Sequence, residues 1–347
     1  MIYPIRFHGH FYDLMRGLDF FLKKLYNLIT MKKIFIAIFL IFAFCEKEKN
    51  IKEEKKWERD KNLRLLIKPE PPFKAYSDAV WSITGKIYYL AAYNINSIRW
   101  TKQALKVINE DGTGDKVLLE GEFQCLDISH KYDKLIIGTI DGRLILTDTS
   151  GNIIAIYKTI MYSRPDPRHV KVVRFGCGDT TVYYQCVDGN SYKMRLRDSL
   201  ETQINDFGWM RPDDCEHLPN FETKPPAIAS WFVLHPLFDT LFISTYEGIP
   251  LLADPIPNGD ENEFIIMGSV NKKPITDPKN WIILKELKPY EKSTFYRPNF
   301  SYNGKKLIFS AYDGRFEANP GHWWDLAEFL ELWVYENFDE LIEKYSK

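Results

Sequence analysis

Short runs of four apolar or aromatic residues recur along the chain from about residue 75 onwards. Each run stands between a tight polar turn and a further apolar segment. Runs of this length, bounded by turn residues and rich in aromatic and β-branched side chains, predict buried strands rather than helices. The runs are IYYL at 87–90, LIIG at 135–138, VYYQ at 182–185, LFIS at 241–244 and LIFS at 307–310.

Each run belongs to a larger unit. An apolar strand comes before it, and several units end in a fourth strand, such as those that begin at Asp115 and Asn152. The runs start about 47 to 66 residues apart, and a repeated unit of four short strands is typical of a propeller blade. A sandwich or barrel does not predict that the whole unit recurs. The third strands are expected to begin at Leu105, Leu144, Tyr192, Pro250 and Leu332.

The repeats therefore predict an all-β fold, a β-propeller of four-stranded blades in which neighbouring sheets cover each other's faces. Five repeats are clear. The interval between the fourth and fifth holds two more strand candidates, Phe264–Met267 and Trp281–Leu287. These could form half of a degenerate blade, and we favour six blades over five or seven.

Two segments near the ends of this region share a turn sequence. In WSITGKIYYL at 81–90 and FSYNGKKLIFS at 300–310, an aromatic–serine pair precedes a hairpin glycine, a lysine and an apolar strand. Both resemble the repeat of TolB-like propellers, and the copies at 128–138, 175–185 and 234–244 keep less of the pattern. The resemblance covers about residues 75–347. It implies a propeller, usually six-bladed, that acts in bacterial envelope complexes.

The N-terminal part has the layout of a targeting segment. Residues 31–45 comprise two lysines, a short apolar core and Cys45, as in a bacterial signal peptide. The segment resembles a lipoprotein signal, which implies lipid attachment at Cys45, although Phe44 is larger than the residue usual before that cysteine. Ordinary secretion, an uncleaved anchor and a buried apolar segment are the alternatives. Residues 1–30 are interpreted as a non-native upstream extension.

Residues 46–70 follow as a charged tether, since their alternating charges leave almost nothing to bury, and residues 71–347 are the predicted propeller domain. The long connections of that domain are expected to lie mainly on one face. They are Ala91–Lys102 and Ala311–Leu330 between second and third strands, with Thr159–Arg168, Phe207–Pro226 and Lys288–Arg297 between blades; Asp254–Glu263 is the chief exception on the opposite face.

Aromatic and arginine side chains, which anchor many interfaces, are concentrated in these connections. The alternative is that the loops fold inward and plug the channel, with Trp323 and Trp324 capping the last blade. The candidate partner-binding residues are Trp100, Arg164, Arg168, His169, Trp209, Arg211, His217, His322, Trp323 and Trp324.

Charge and motifs narrow the function. A formal net charge of -1 gives no basic surplus for nucleic acid. The chain has no metalloprotease, nucleophile-elbow, phosphate-loop or dinucleotide motif, and we expect no catalytic residue, metal or cofactor. The acidic segment 109–115 is interpreted as a hairpin turn rather than a calcium loop. The group of Asp213, Asp214 and His217 is interpreted as a solvated loop rather than an acid–base or metal cluster.

Four cysteines remain besides Cys45, namely Cys125, Cys177, Cys186 and Cys215. Their even number is compatible with two disulfides in an oxidising compartment and equally with buried thiols. The sequence does not choose between these alternatives.

The resulting hypothesis is a non-enzymatic, envelope-associated binding protein. It would be monomeric, anchored through its N-terminus, and able to recognise a protein or envelope component through the loop-rich face. The alternatives are a propeller enzyme or glycan-binding protein of the lyase type, with its site at the channel mouth, and a structural relative without a ligand.

Overall fold

The computed structural model describes residues 57–93, 102–129, 131–162, 170–186, 189–204, 233–237, 241–246, 264–269, 280–291, 293–313 and 330–346. Residues Arg59–Lys347 form one compact unit. In its described part, twenty strands make five sheets of four strands each. The prediction of a β-propeller with four-stranded blades is confirmed. Strands are numbered β1 to β20 along the chain, and β1 is Leu63–Ile67.

Blades 1 and 2 follow the chain in order, because every strand pairs antiparallel with the next. Blade 1 consists of β2 (Phe73–Trp81), β3 (Lys86–Tyr93), β4 (Gln103–Asn109) and β5 (Lys116–Gly121). Blade 2 consists of β6 (Phe123–Ile128), β7 (Lys134–Thr139), β8 (Arg143–Asp148) and β9 (Ile153–Lys158). The predicted second, third and fourth strands of both blades are confirmed.

Blades 3 and 4 have the same order. Blade 3 consists of β10 (Val170–Phe175), β11 (Thr181–Cys186), β12 (Ser191–Arg195) and β13 (Leu200–Ile204). Blade 4 consists of β14 (Val233–Leu234), β15 (Leu241–Tyr246), β16 (Phe264–Ser269) and β17 (Trp281–Ile283).

Blade 4 corrects two predictions. Its third strand is β16, which pairs with β15 along six residues, and not a strand from Pro250. The segments Phe264–Met267 and Trp281–Leu287, from which a sixth blade was inferred, provide the third and fourth strands of this blade. The preference for six blades is therefore wrong for the described residues, which form five. The long insertion after β15 had displaced the apparent repeat.

Blade 5 joins the two ends of the domain. Its first three strands are β18 (Ser293–Phe300), β19 (Leu307–Asp313) and β20 (Glu331–Tyr335), and its outer strand is β1, which pairs antiparallel with β20. The expected tether at 46–70 therefore includes a strand of the propeller, and the compact unit begins at Arg59 rather than residue 71. Residues 63–67 carry no repeat signal, because β1 is separated from the rest of its blade by most of the chain.

A C-terminal helix, α1 (Phe338–Ser346), follows blade 5 and was not predicted. Its Phe338 and Leu341 are buried in the core shared by blades 4 and 5. At its end, the Tyr345 hydroxyl donates to both oxygens of Glu286 at 3.0 Å. The helix is therefore packed on blade 4 as well as blade 5.

The recurring serine of the turn motif has a structural reason. Ser82, Ser129 and Ser301 are all buried, and their Oγ atoms accept the backbone N–H that opens the second strand, at 2.9, 3.2 and 3.0 Å. The turn also requires a left-handed residue, which is Gly85 in blade 1 and Tyr132 in blade 2. This explains why the blade 2 copy preserves the serine but not the glycine.

Apolar cores lie between blades rather than within them. One core joins blades 1 and 2, a second joins blades 2 and 3, a third joins blades 4 and 5, and a fourth joins blades 5 and 1. The inner strands β18, β2, β6 and β10 contact one another in that order. They converge on a common axis, and Asp78, Asp127 and Arg297 on these strands are buried charged residues.

Candidate functional site

The predicted binding residues fall in connections outside the described residues. Cys45, in the N-terminal segment, is also outside them. The connections are 94–101, 163–169, 205–232 and 314–329. The structure therefore neither brings together nor separates these side chains. They are Trp100, Arg164, Arg168, His169, Trp209, Arg211, His217, His322, Trp323 and Trp324.

The strand order nevertheless fixes where these connections attach. Segments 94–101 and 314–329 join the second and third strands of blades 1 and 5, and segments 163–169 and 205–232 lead from one blade to the next. In a sheet of alternating strand direction, both kinds of connection start and end on the same face, which we call the upper face. The lower face carries the other turns.

Two of the expected connections change. Residues 247–263 join β15 to β16, so the segment Asp254–Glu263 attaches to the upper face and is no longer an exception. The loop expected at Lys288–Arg297 is shorter, because β18 begins at Ser293. Residues 270–280, between β16 and β17, are the long connection on the lower face of blade 4.

The axis carries a buried ion pair that sequence reasoning missed. Asp78 on β2 and Arg297 on β18 are 5% and 6% exposed, and Nη1 of the arginine contacts Oδ1 of the aspartate. Both residues have left-handed backbone, with φ of 54° and 46°, at irregularities in strand pairing. Non-glycine residues rarely adopt this conformation. In the sequence, each of the two appears only as a charged residue within a largely uncharged strand.

Arg297 also connects blade 5 to blades 2 and 3. Its Nη1 donates to the carbonyl oxygen of Gln124 at 3.0 Å, and its Nη2 donates to the carbonyl oxygen of Lys171 at 3.2 Å. Burial lowers the pKa of Arg297, so its charged form depends on the nearby carboxylate and carbonyls. One side chain therefore contacts four of the five blades, counting its own.

The space around this pair is small. A cavity of about 10 Å³ lies at the axis and is lined by residues of β2, β6, β10 and β18. A cavity of that volume accommodates about one water molecule. The axis at this level therefore has no room for a sugar ring or a peptide.

A second Asp–Arg pair lies beside the first. Asp127 on β6 accepts the backbone N–H of Phe175 at 2.7 Å, and its other oxygen lies 3.4 Å from Nη1 of Arg174. The Arg174 side chain is 25% exposed. Asp127 is buried as well, so this pair differs from the first mainly in the partial exposure of its arginine.

The described residues show little reactive chemistry. No group of three or more metal-ligating side chains occurs among them. Cys125 and Cys186 are buried thiols outside any disulfide, so for these two the thiol alternative holds. Burial raises the pKa of Cys125, whose Sγ lies 3.3 Å from the carbonyl oxygen of Val170. Cys215 lies outside the described residues, as do Asp213, Asp214 and His217.

Comparison with known proteins adds the following. No family model matches the chain, and no curated protein matches it. Among solved structures, the chain is similar to the C-terminal WD40 domain of Sif2, with 13% sequence identity and a TM-score of 0.42, over 75% of this chain and 85% of that domain. The assignment to the β-propeller class rests on the strand order described above.

Proposed function

We propose that this propeller is a non-enzymatic binding protein that recognises a protein partner through its upper face. The observation that carries the proposal is the strand order, from which the connections 94–101, 163–169, 205–232 and 314–329 all attach to one face. Beside Asp78 and Arg297, the described part of the axis leaves about 10 Å³, which is too little for a substrate at that level. A lyase-type site at the channel mouth stays the alternative.

The upper face is favoured over the lower face by its connections. The lower-face turns of blades 1, 2 and 5 are short and are closed by their own hydrogen bonds, such as those of Ser82 and Ser301. The upper connections 94–101, 163–169, 205–232 and 314–329 are longer and contain tryptophans and arginines, which anchor many interfaces. Loops held by a rigid scaffold are where binding residues concentrate.

We further propose that the protein works in a bacterial envelope as a TolB-like lipoprotein with its lipid on Cys45. The support is the apolar run before Cys45 and the repeat resemblance. The strand β1 begins beside the end of β20, where Leu63 pairs with Tyr335, and this end is on the lower face. An attachment there leaves the upper face accessible. In the described residues, no helix combines the length and apolar character needed to cross a bilayer.

Site-specific photo-crosslinking in intact cells tests the binding face. A photoreactive residue replaces Trp100, Trp209 or Trp323 on the upper connections, and Ile83 or Tyr302 serves as the matched position on the lower face. We expect the upper positions to give the same crosslinked protein and the lower positions to give none. Crosslinks from the lower positions alone would contradict the proposal.

Lipid attachment is tested by metabolic labelling with a clickable fatty acid. Replacement of Cys45 by serine should abolish the label and release the protein from the membrane fraction, because no other thiol would accept the lipid. Cys215→Ser is the matched control and should keep the label. If Cys45→Ser remains labelled, the lipoprotein assignment is wrong.

A further inference from the structure

The outer strands of the five blades differ in the residues and the length that protect their exposed edge. An edge strand offers unpaired backbone groups, and proteins usually protect it with charged side chains or by keeping it short. β1, β5 and β13 carry Arg64, Lys116 with Glu120, and Glu201, respectively, and β17 is limited to Trp281–Ile283. In blade 2, by contrast, β9 has the sequence IIAIYK, with no charge before its last residue.

The isoleucines of β9 are exposed. Ile153, Ile154 and Ile156 are 48%, 51% and 49% accessible. Ala155 and Tyr157, which alternate with them, are packed against the core between blades 2 and 3. The exposed side chains are therefore not needed to hold the blade in place.

The pairing of β9 with β8 shows which face is apolar. Ile156 pairs with Ile145 and Ile153 pairs with Thr147, so both lie on the same side of the sheet, with Ile154 as the extra residue at an irregularity. The stripe thus occupies one side and the free edge of the strand. The regular part of the ladder, from Ala155 to Lys158, is where another strand could be added.

We propose that β9 is a self-association surface, on which β9 of a second copy of this chain lies antiparallel so that the two isoleucine stripes cover each other. This replaces the monomer expected from the sequence. Such a contact is isologous and closes as a dimer. It pairs the same apolar side chains from both sides and joins two four-stranded sheets at their edges.

Charge supports a second copy as the occupant. The exposed Lys158 ends the strand, and the turn before the strand begins with Asp148. Antiparallel pairing places the lysine of each copy next to the aspartate-bearing turn of the other, once at each end of the contact.

Sedimentation equilibrium of the unlipidated chain from residue 46 onwards tests this, since residues 59–347 are a compact unit. We expect a monomer–dimer equilibrium. The double variant Ile154→Lys/Ile156→Lys should raise the dimer dissociation constant at least about tenfold. Each substitution would put a charge where the dimer buries an isoleucine. Val117→Lys is the matched control, on the outer strand of blade 1 with 43% exposure, and should leave the dimer unchanged.

Hydrogen exchange provides the second measurement, and it does not depend on any variant. Amides of β9 should exchange more slowly as the protein concentration rises, whereas those of β5 should not change. A chain that stays monomeric at every concentration would overturn the proposal. So would a dimer that the lysine variant does not weaken, or one whose slowed amides lie outside β9, because these results would place the contact elsewhere.

Discussion

The two Asp–Arg pairs at the axis consist of the same two residue types but differ in their surroundings. Asp78 and Arg297 join blades 1 and 5, where the two ends of the domain meet, and Asp127 and Arg174 join blades 2 and 3, which follow each other in the chain. Both members of the first pair are buried. In the second pair, the arginine is partly exposed and the aspartate also accepts a backbone N–H.

These surroundings determine what each ion pair contributes to the stability of the fold. Removing two charges from water is costly, and mutual attraction offsets that cost only when further hydrogen bonds are made. Arg297 makes them with the carbonyls of Gln124 and Lys171, while Oδ2 of Asp78 has no hydrogen-bond partner among the described residues. The first pair therefore costs much to assemble and serves to specify how the inner strands meet. The second pair contributes only to the contact between blades 2 and 3.

The largest effect is expected when the buried pair is broken from one side. Arg297→Met leaves the Asp78 carboxylate buried without its cation, and this should lower the free energy of unfolding by about 3–5 kcal/mol. Chemical denaturation, followed by tryptophan fluorescence, measures the change.

The matched control for that variant replaces both charges. In Asp78→Leu/Arg297→Met, no buried charge is left unpaired, so most of the lost stability should return. If the double variant is as unstable as the single one, the pair is needed for its hydrogen bonds and backbone shape rather than for charge compensation.

An intermediate effect is expected at Asp127. Its carboxylate accepts the Phe175 backbone N–H at 2.7 Å across the boundary between blades 2 and 3. Asp127→Ala should lower the free energy of unfolding by about 1.5–3 kcal/mol, the range for hydrogen bonds to charged groups. Asp127→Asn keeps an acceptor oxygen and should lose less, and equal losses in the two variants would show that the negative charge matters more than the hydrogen bond.

Sequence reasoning predicted the periodic features and missed the long-range ones. The second strand of every blade was predicted, because four apolar residues after a turn are a local signal, and the turn serines repeat for a local reason. The pairing of β1 with β20, by contrast, joins residues such as Leu63 and Tyr335, and nothing in either segment indicates its partner. The large insertion after β15 likewise hid the true third strand of blade 4.

The candidate site divides in the same way. Charges such as Asp78 and Arg297 look alike in the sequence whether they are buried or solvated, because burial is decided by strands from other blades. The connections that carry the predicted binding residues could be assigned to the upper face from strand order alone. Their side-chain arrangement lies outside the described residues, so those residues remain predictions.

The smallest effect is expected at Arg174, and it is the sharpest test of the comparison. Its Nη1 lies 3.4 Å from Asp127 and its side chain is 25% exposed. When the arginine is removed, the Asp127 carboxylate still accepts the Phe175 backbone N–H. Arg174→Met should therefore change the free energy of unfolding by less than about 1 kcal/mol, as partly exposed ion pairs usually do. The same substitution at Arg297 is the internal reference, because that guanidinium is buried and also donates to the carbonyl oxygens of Gln124 and Lys171. Losses of similar size at the two positions would mean that burial at the axis does not distinguish the two pairs.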